Sequence, residues 1–112
     1  MTTGSITQIP VTEVAALIEG GAAFIDVREH QETAAGLAPG ADCMPLQSFD
    51  VDAVPKDRPL VFICRTGRRS DAVANALAGM GFTTYNVVGG MGAWAQAGYP
   101  VLAADGSPGT VI

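Results

Sequence analysis

The chain has 112 residues, 48% of them hydrophobic and 15% charged, with a net charge of −5. That composition suits one compact domain with its own core and excludes a disordered chain, while the acidic balance argues against nucleic acid and anionic membrane surfaces as partners. No apolar run approaches the roughly 20 residues that cross a bilayer, and Met1 to Pro10 hold neither a basic region nor a continuous apolar stretch, so no signal peptide is visible.

In chain order, Ser5 to Ile9 reads as a short first strand ended by Pro10. Thr12 offers an N-cap and Glu13 suits a first helical turn; Val14, Leu17 and Ile18 then give that helix one apolar face until Gly20-Gly21 stops it. Ala23 to Val27 is a short apolar run of the kind found in buried strands. The polar segment His30 to Ala35 predicts a short surface helix closed by Gly36, with a turn at Pro39-Gly40. Cys43 to Leu46 reads as a brief extended piece, and Gln47 to Val54 as a short helix or loop before Pro55.

Leu60-Val61-Phe62-Ile63 has the unbroken apolarity of a central parallel strand covered on both faces. From Arg69 onward, Val73, Ala76, Leu77 and Met80 recur at helical spacing until Gly79 and Gly81. Thr83 to Val88 is another strand, ended by Gly89-Gly90, and Ala93, Trp94 and Ala97 mark a last short helix stopped by Gly98 and Pro100. The organisation expected is one domain over residues 1–102 and a loosely ordered tail over 103–112, where Gly106, Pro108 and Gly109 fall. Strands alternating with helices imply an α/β fold, a central and mostly parallel sheet with helices on both faces.

In such sheets ligands bind beyond the carboxyl ends of the strands. Asp26 with Arg28, Cys64, and Gly89 with Gly90 all fall at that edge. The segment Cys64-Arg65-Thr66-Gly67-Arg68-Arg69-Ser70 holds three of the six basic residues beside one of two cysteines. A thiol between a buried strand and a helix start faces unpaired backbone N–H groups and the positive end of the helix, both of which favour thiolate. Gly67 can take φ > 0 and let the loop curl its amides inward, while arginines add permanent positive charge. These features point to Cys64 as a nucleophile; the alternative is a small hydrophobe finishing a strand.

The segments Ile25-Asp26-Val27-Arg28-Glu29, Pro39-Gly40-Ala41, Pro45-Leu46, Cys64 to Ser70, Gly89-Gly90 with Trp94, and Gly98-Tyr99-Pro100 occur in that order. Together they resemble the rhodanese-like (thiosulfate sulfurtransferase) domains over about Ile9 to Pro100. The resemblance implies that Cys64 accepts a sulfane sulfur to become a persulfide, that Arg65, Thr66, Gly67, Arg68 and Arg69 cradle it, and that Asp26 and Arg28 brace the rim. Related cysteine phosphatases and arsenate reductases share the fold with a loop one residue longer. Here Arg69 follows Cys64 after four intervening residues and Ser70 stands where the longer loop has its arginine, so the loop suits a single sulfur atom better than a tetrahedral phosphate.

Arg65 and Arg68 are the candidates for meeting an anionic donor, with Arg69 turned inward to support the loop. Ser70 is either a hydrogen-bond partner of the Cys64 sulfur or a plain N-cap. Leu37 stands where many relatives carry His, and Thr33 where an aromatic is usual. His30 reads as a solvated surface residue, Cys43 as a buried packing residue with resolution of a Cys64 persulfide as a disulfide its alternative, Trp94 and Met91 as core or rim, and Asp26 with Arg28 as a structural ion pair or a direct support of the loop. No cofactor is implied, and neither a CxxC nor a Cys/His spacing suggests a metal. The expected partners are a small sulfur-containing anion as donor and a thiol or protein cysteine as acceptor, in a cytoplasmic setting that keeps thiols reduced. A noncatalytic module binding an anion or a persulfidated partner is the rival class.

Overall fold

A computed structural model describes residues 4–112. Strands β1 (Ser5–Ile9), β2 (Ala23–Asp26), β3 (Asp42–Cys43), β4 (Leu60–Ile63) and β5 (Thr83–Val87) alternate with helices α1 (Val14–Glu19), α2 (His30–Ala35), α3 (Arg68–Ala78) and α4 (Gly90–Gln96). The sheet runs in the order β1-β5-β4-β2-β3, and every pairing in it is parallel. The α/β expectation holds. Among the described residues no helix is long and apolar enough to cross a membrane.

Alternation along the strands divides the core between the two faces of the sheet. Leu60 and Phe62 of β4 pack with Val73, Ala74 and Leu77 of α3, whereas Val61 and Ile63 pack with Val14, Met91 and Trp94 from α1 and α4. All four residues of β4 are fully buried, each such side chain being worth about 1.5–3 kcal/mol of burial. The apolar run of β4 therefore makes it the spine, and Cys64, the next residue, is held wherever that spine ends.

Several local expectations change. Thr12 caps nothing: Val11–Glu13 form a 3₁₀ turn leading into α1, with no side-chain cap. The segment after Pro45 forms two 3₁₀ turns, Leu46–Ser48 and Val51–Ala53. α3 begins at Arg68 and α4 directly at Gly90. Met80 is 60% exposed and Ala76 is exposed too, so the buried apolar face of α3 consists of Val73, Ala74, Leu77 and Ala78. Cys43, expected as a buried packing residue, is exposed on the edge strand β3. Trp94 fills core space as read, stacking near Phe24 and Tyr99 while its indole N–H donates to the Pro100 carbonyl.

The tail is not loosely held. Leu102 exchanges backbone hydrogen bonds with Leu37 and forms a second bridge to Pro108, Ala104 and Thr110 donate to the carbonyls of Ala34 and Ala35, and Val111 packs against the core. Its glycines permit close approach: a Cβ on Gly109 would sit 2.6 Å from the Ala35 carbonyl oxygen. The strap lies on the segment carrying Thr33 and Leu37, the two departures noted above.

Candidate active site

The loop that follows β4 turns back on itself because Gly67, at φ 98°, takes the left-handed conformation that side chains disfavour. α4 fixes the loop from below. The amides of Met91 and Gly92 donate to the carbonyls of Cys64 and Arg65 at 2.8 and 3.0 Å, which turns those carbonyls down and leaves the following amides facing up. Gly89 and Gly90 make this docking possible. Both have positive φ, and a Cβ on Gly90 would collide with the Cys64 carbonyl oxygen.

The loop closes on one atom. Gly67 N–H donates to Cys64 Sγ at 3.1 Å, and the Ser70 hydroxyl lies 3.3 Å from the same sulfur. Cys64 is fully buried, which pushes its thiol up, but the Ser70 hydroxyl and the amides of Ser70, Gly67 and Thr66 outweigh burial and hold it below the ordinary thiol value. Ser70 is thus no plain N-cap; it stands in the first turn of α3, fully buried against the sulfur.

The three arginines divide their work. Arg65 and Arg68 are exposed, and Arg65 Nε reaches the Ile112 carbonyl. Arg69 turns to Glu32, its two terminal nitrogens donating to the two carboxylate oxygens at 2.8 and 2.9 Å. That fork holds the Glu32 carboxyl below its usual range and Arg69 above its own, and the Arg69 charge still attracts a Cys64 thiolate. Beneath them Asp26 and Arg28 form a fully buried pair at 2.9 Å, and Arg28 also donates to the Gly36 carbonyl, binding the end of β2 to the end of α2.

Glu32 and Asn86 were not among the residues read from sequence. Glu32 forms a capping box with Glu29 at the start of α2, and that i, i+3 acidic pair was a visible signal. Asn86 is a buried polar residue within β5; its side chain bonds Ser70, Gly67 and Gln8. Among the described residues no cluster of His, Cys, Asp and Glu is placed to hold a metal. The arrangement is a cup of N–H donors around one sulfur, with cations at its mouth.

The family profile described as Rhodanese-like domain matches residues 10–97. The chain belongs to the rhodanese-like family. A thiosulfate sulfurtransferase GlpE of Pseudomonas fluorescens is 33% identical over 104 residues, covering 90% of this chain and 94% of its own. A sulfurtransferase of Allochromatium vinosum is 35% identical over 86 residues, 74% of this chain and 80% of that one. The crystal structure of a rhodanese-related protein from Thermoplasma volcanium superimposes with a TM-score of 0.79 at 26% identity, over 86% of this chain and 97% of the other. These rhodanese-like relatives support the sulfurtransferase class for this chain.

Proposed function

We propose that this chain carries a sulfane sulfur from thiosulfate or a persulfide donor to a thiophilic acceptor through a persulfide on Cys64. The Cys64 thiolate attacks the outer sulfur of the donor; a new S–S bond forms, the donor's S–S bond breaks, and sulfite or a thiolate leaves with the electron pair. Cyanide, a small thiol or a protein cysteine then attacks the outer sulfur of the persulfide, and Cys64 departs as thiolate. Atoms and charge balance at each step, and no cofactor is needed.

The observation that supports this reading is the convergence of the Gly67 amide and the Ser70 hydroxyl on the Cys64 Sγ, at a loop with four residues between Cys64 and Arg69. Such a cup stabilises the thiolate in both the attacking and the departing role. Arg65 and Arg68, exposed at the mouth, attract the anionic donor; Arg69, engaged with Glu32, braces the loop; Asp26, Arg28, Gly89 and Gly90 hold it from below. The cycle requires a reduced thiol, which suits the cytoplasm.

Incubation with thiosulfate followed by mass spectrometry tests the proposal. We expect a gain of about one sulfur mass on the peptide carrying Cys64 rather than Cys43, lost again on adding cyanide, and no gain in Cys64→Ser. Turnover of an aryl phosphate with no sulfur uptake would give the site to a phosphatase instead, and neither activity would leave a binding module.

A further inference from the structure

The Ser70 hydroxyl has one proton and two acceptors. It lies 2.6 Å from Asn86 Oδ1 and 3.3 Å from Cys64 Sγ. Which of them receives the proton decides whether Ser70 offers the sulfur a donor, which favours thiolate, or a lone pair, which favours thiol.

The neighbours of Asn86 settle that question. Asp71 accepts from Gln8 Nε2 at 2.6 Å, and a carboxylate that only accepts must face the nitrogen of that amide. The Gln8 oxygen therefore faces Asn86, whose Nδ2 donates to it at 2.8 Å and to the Gly67 carbonyl at 3.2 Å. The parallel register of β1 and β5 places Gln8 directly beside Asn86. With both donors of Asn86 committed, its oxygen is left facing Ser70 and draws the hydroxyl proton away from sulfur.

We propose that Asp71, Gln8 and Asn86 are positioning residues that orient the Ser70 hydroxyl toward Asn86 and so restrain the ionisation of Cys64. In the resting thiol the S–H donates to Ser70 Oγ and Ser70 donates to Asn86. When the thiolate forms, the hydroxyl must rotate to the sulfur and Asn86 Oδ1 loses its donor. The chain thus weakens the Ser70 contribution: it leaves Cys64 a more basic, more nucleophilic thiolate than a Ser70 hydroxyl free to donate to the sulfur would give. This rests on the sulfur-transfer reading only in making Cys64 the nucleophile.

Gln8 is exposed and uncharged, so Gln8→Ala cuts the chain without altering the charges around the loop: Arg69 and Asp71 on α3, Arg68 in the cleft that Gln8 and Asp71 share, Asp26 and Arg28 at the end of β2, and Glu32 on α2. The measurement is the pH dependence of Cys64 alkylation by iodoacetamide in a Cys43→Ser background, which reports the thiolate whether or not sulfur is transferred. We expect Gln8→Ala to lower the Cys64 pKa by about half a unit, speeding alkylation about twofold below that pKa and slowing it slightly above. Asp71→Asn should lower it too, by less in the Gln8→Ala background than alone. An unmoved profile in Gln8→Ala, or an equal Asp71→Asn shift in both backgrounds, would show that Asp71 acts only through space and would overturn the proposal.

Discussion

At the residue scale the site separates groups that hold the sulfur from groups that attract its donor. Arg68 is exposed and free of any ion pair among the described residues, so its charge is available to an incoming anion, though water and salt screen it. Arg68→Ala should raise KM for thiosulfate roughly two- to fivefold with kcat nearly kept, and the difference should shrink at high salt. An unchanged KM would move donor recognition to Arg65 or to the loop amides. Arg28 is the opposite case. It is fully buried, bonds Asp26 and the Gly36 carbonyl, and leaves only Nη1 without a partner among the described residues. Arg28→Met strands the Asp26 charge in the core and should cost about 3–5 kcal/mol in urea unfolding, whereas Asp26→Leu with Arg28→Met should cost clearly less, since no charge is left unpaired.

At the scale of elements, what matters is how α4 seats itself under the loop. Gly90 and Gly40 both have positive φ, but a Cβ on Gly40 meets nothing within 4 Å while one on Gly90 runs into the carbonyls of Cys64 and Arg65. Either change to Ala should cost about 1 kcal/mol of backbone strain. Only Gly90→Ala should also break the Met91 and Gly92 bonds to the loop, letting the amides swing off the sulfur. Its sulfur transfer is expected to fall by tenfold or more, with Gly40→Ala close to normal in the same assay. The contrast also shows what a sequence reveals. The strand Leu60–Ile63, the loop from Cys64 to Ser70 and the double glycine are contiguous, and their chemistry is local, so each was legible. Glu32 meets Arg69 and Gln8 meets Asn86 only because the fold brings the first turn of α2 to the first turn of α3 and pairs β1 with β5. The tail misled for a related reason: Gly106, Pro108 and Gly109 punctuate a chain without saying whether a partner surface awaits it, and that surface is the C-terminal end of α2 with Leu37 beyond it.

At the scale of the whole molecule, the tail, α2 and the loop form one connected brace. The strap bonds Ala34 and Ala35, the same helix carries Glu32, and Glu32 grips Arg69 of α3. Stability should follow pH at two points along it. Glu32 is depressed in the folded chain, chiefly by Arg69, so its contribution is present above the ordinary glutamate range and is lost as pH falls through the depressed value. The pair is partly exposed, at 35% for Arg69 and 13% for Glu32, so screening limits it to about 1 kcal/mol. Glu32→Gln should be less stable than the parent by that amount near neutral pH, and the two should converge in acid. Cys64 adds a second window of the same sign. Its folded pKa lies below the ordinary thiol value, so between the two the unfolded chain binds more protons and stability rises with pH. In Cys64→Ser that rise should vanish while the acid limb set by Glu32 remains. Thermal unfolding of parent, Glu32→Gln and Cys64→Ser across both windows would separate the brace from the nucleophile, and a Cys64→Ser curve parallel to the parent's at alkaline pH would mean that the amide cup does not hold a thiolate.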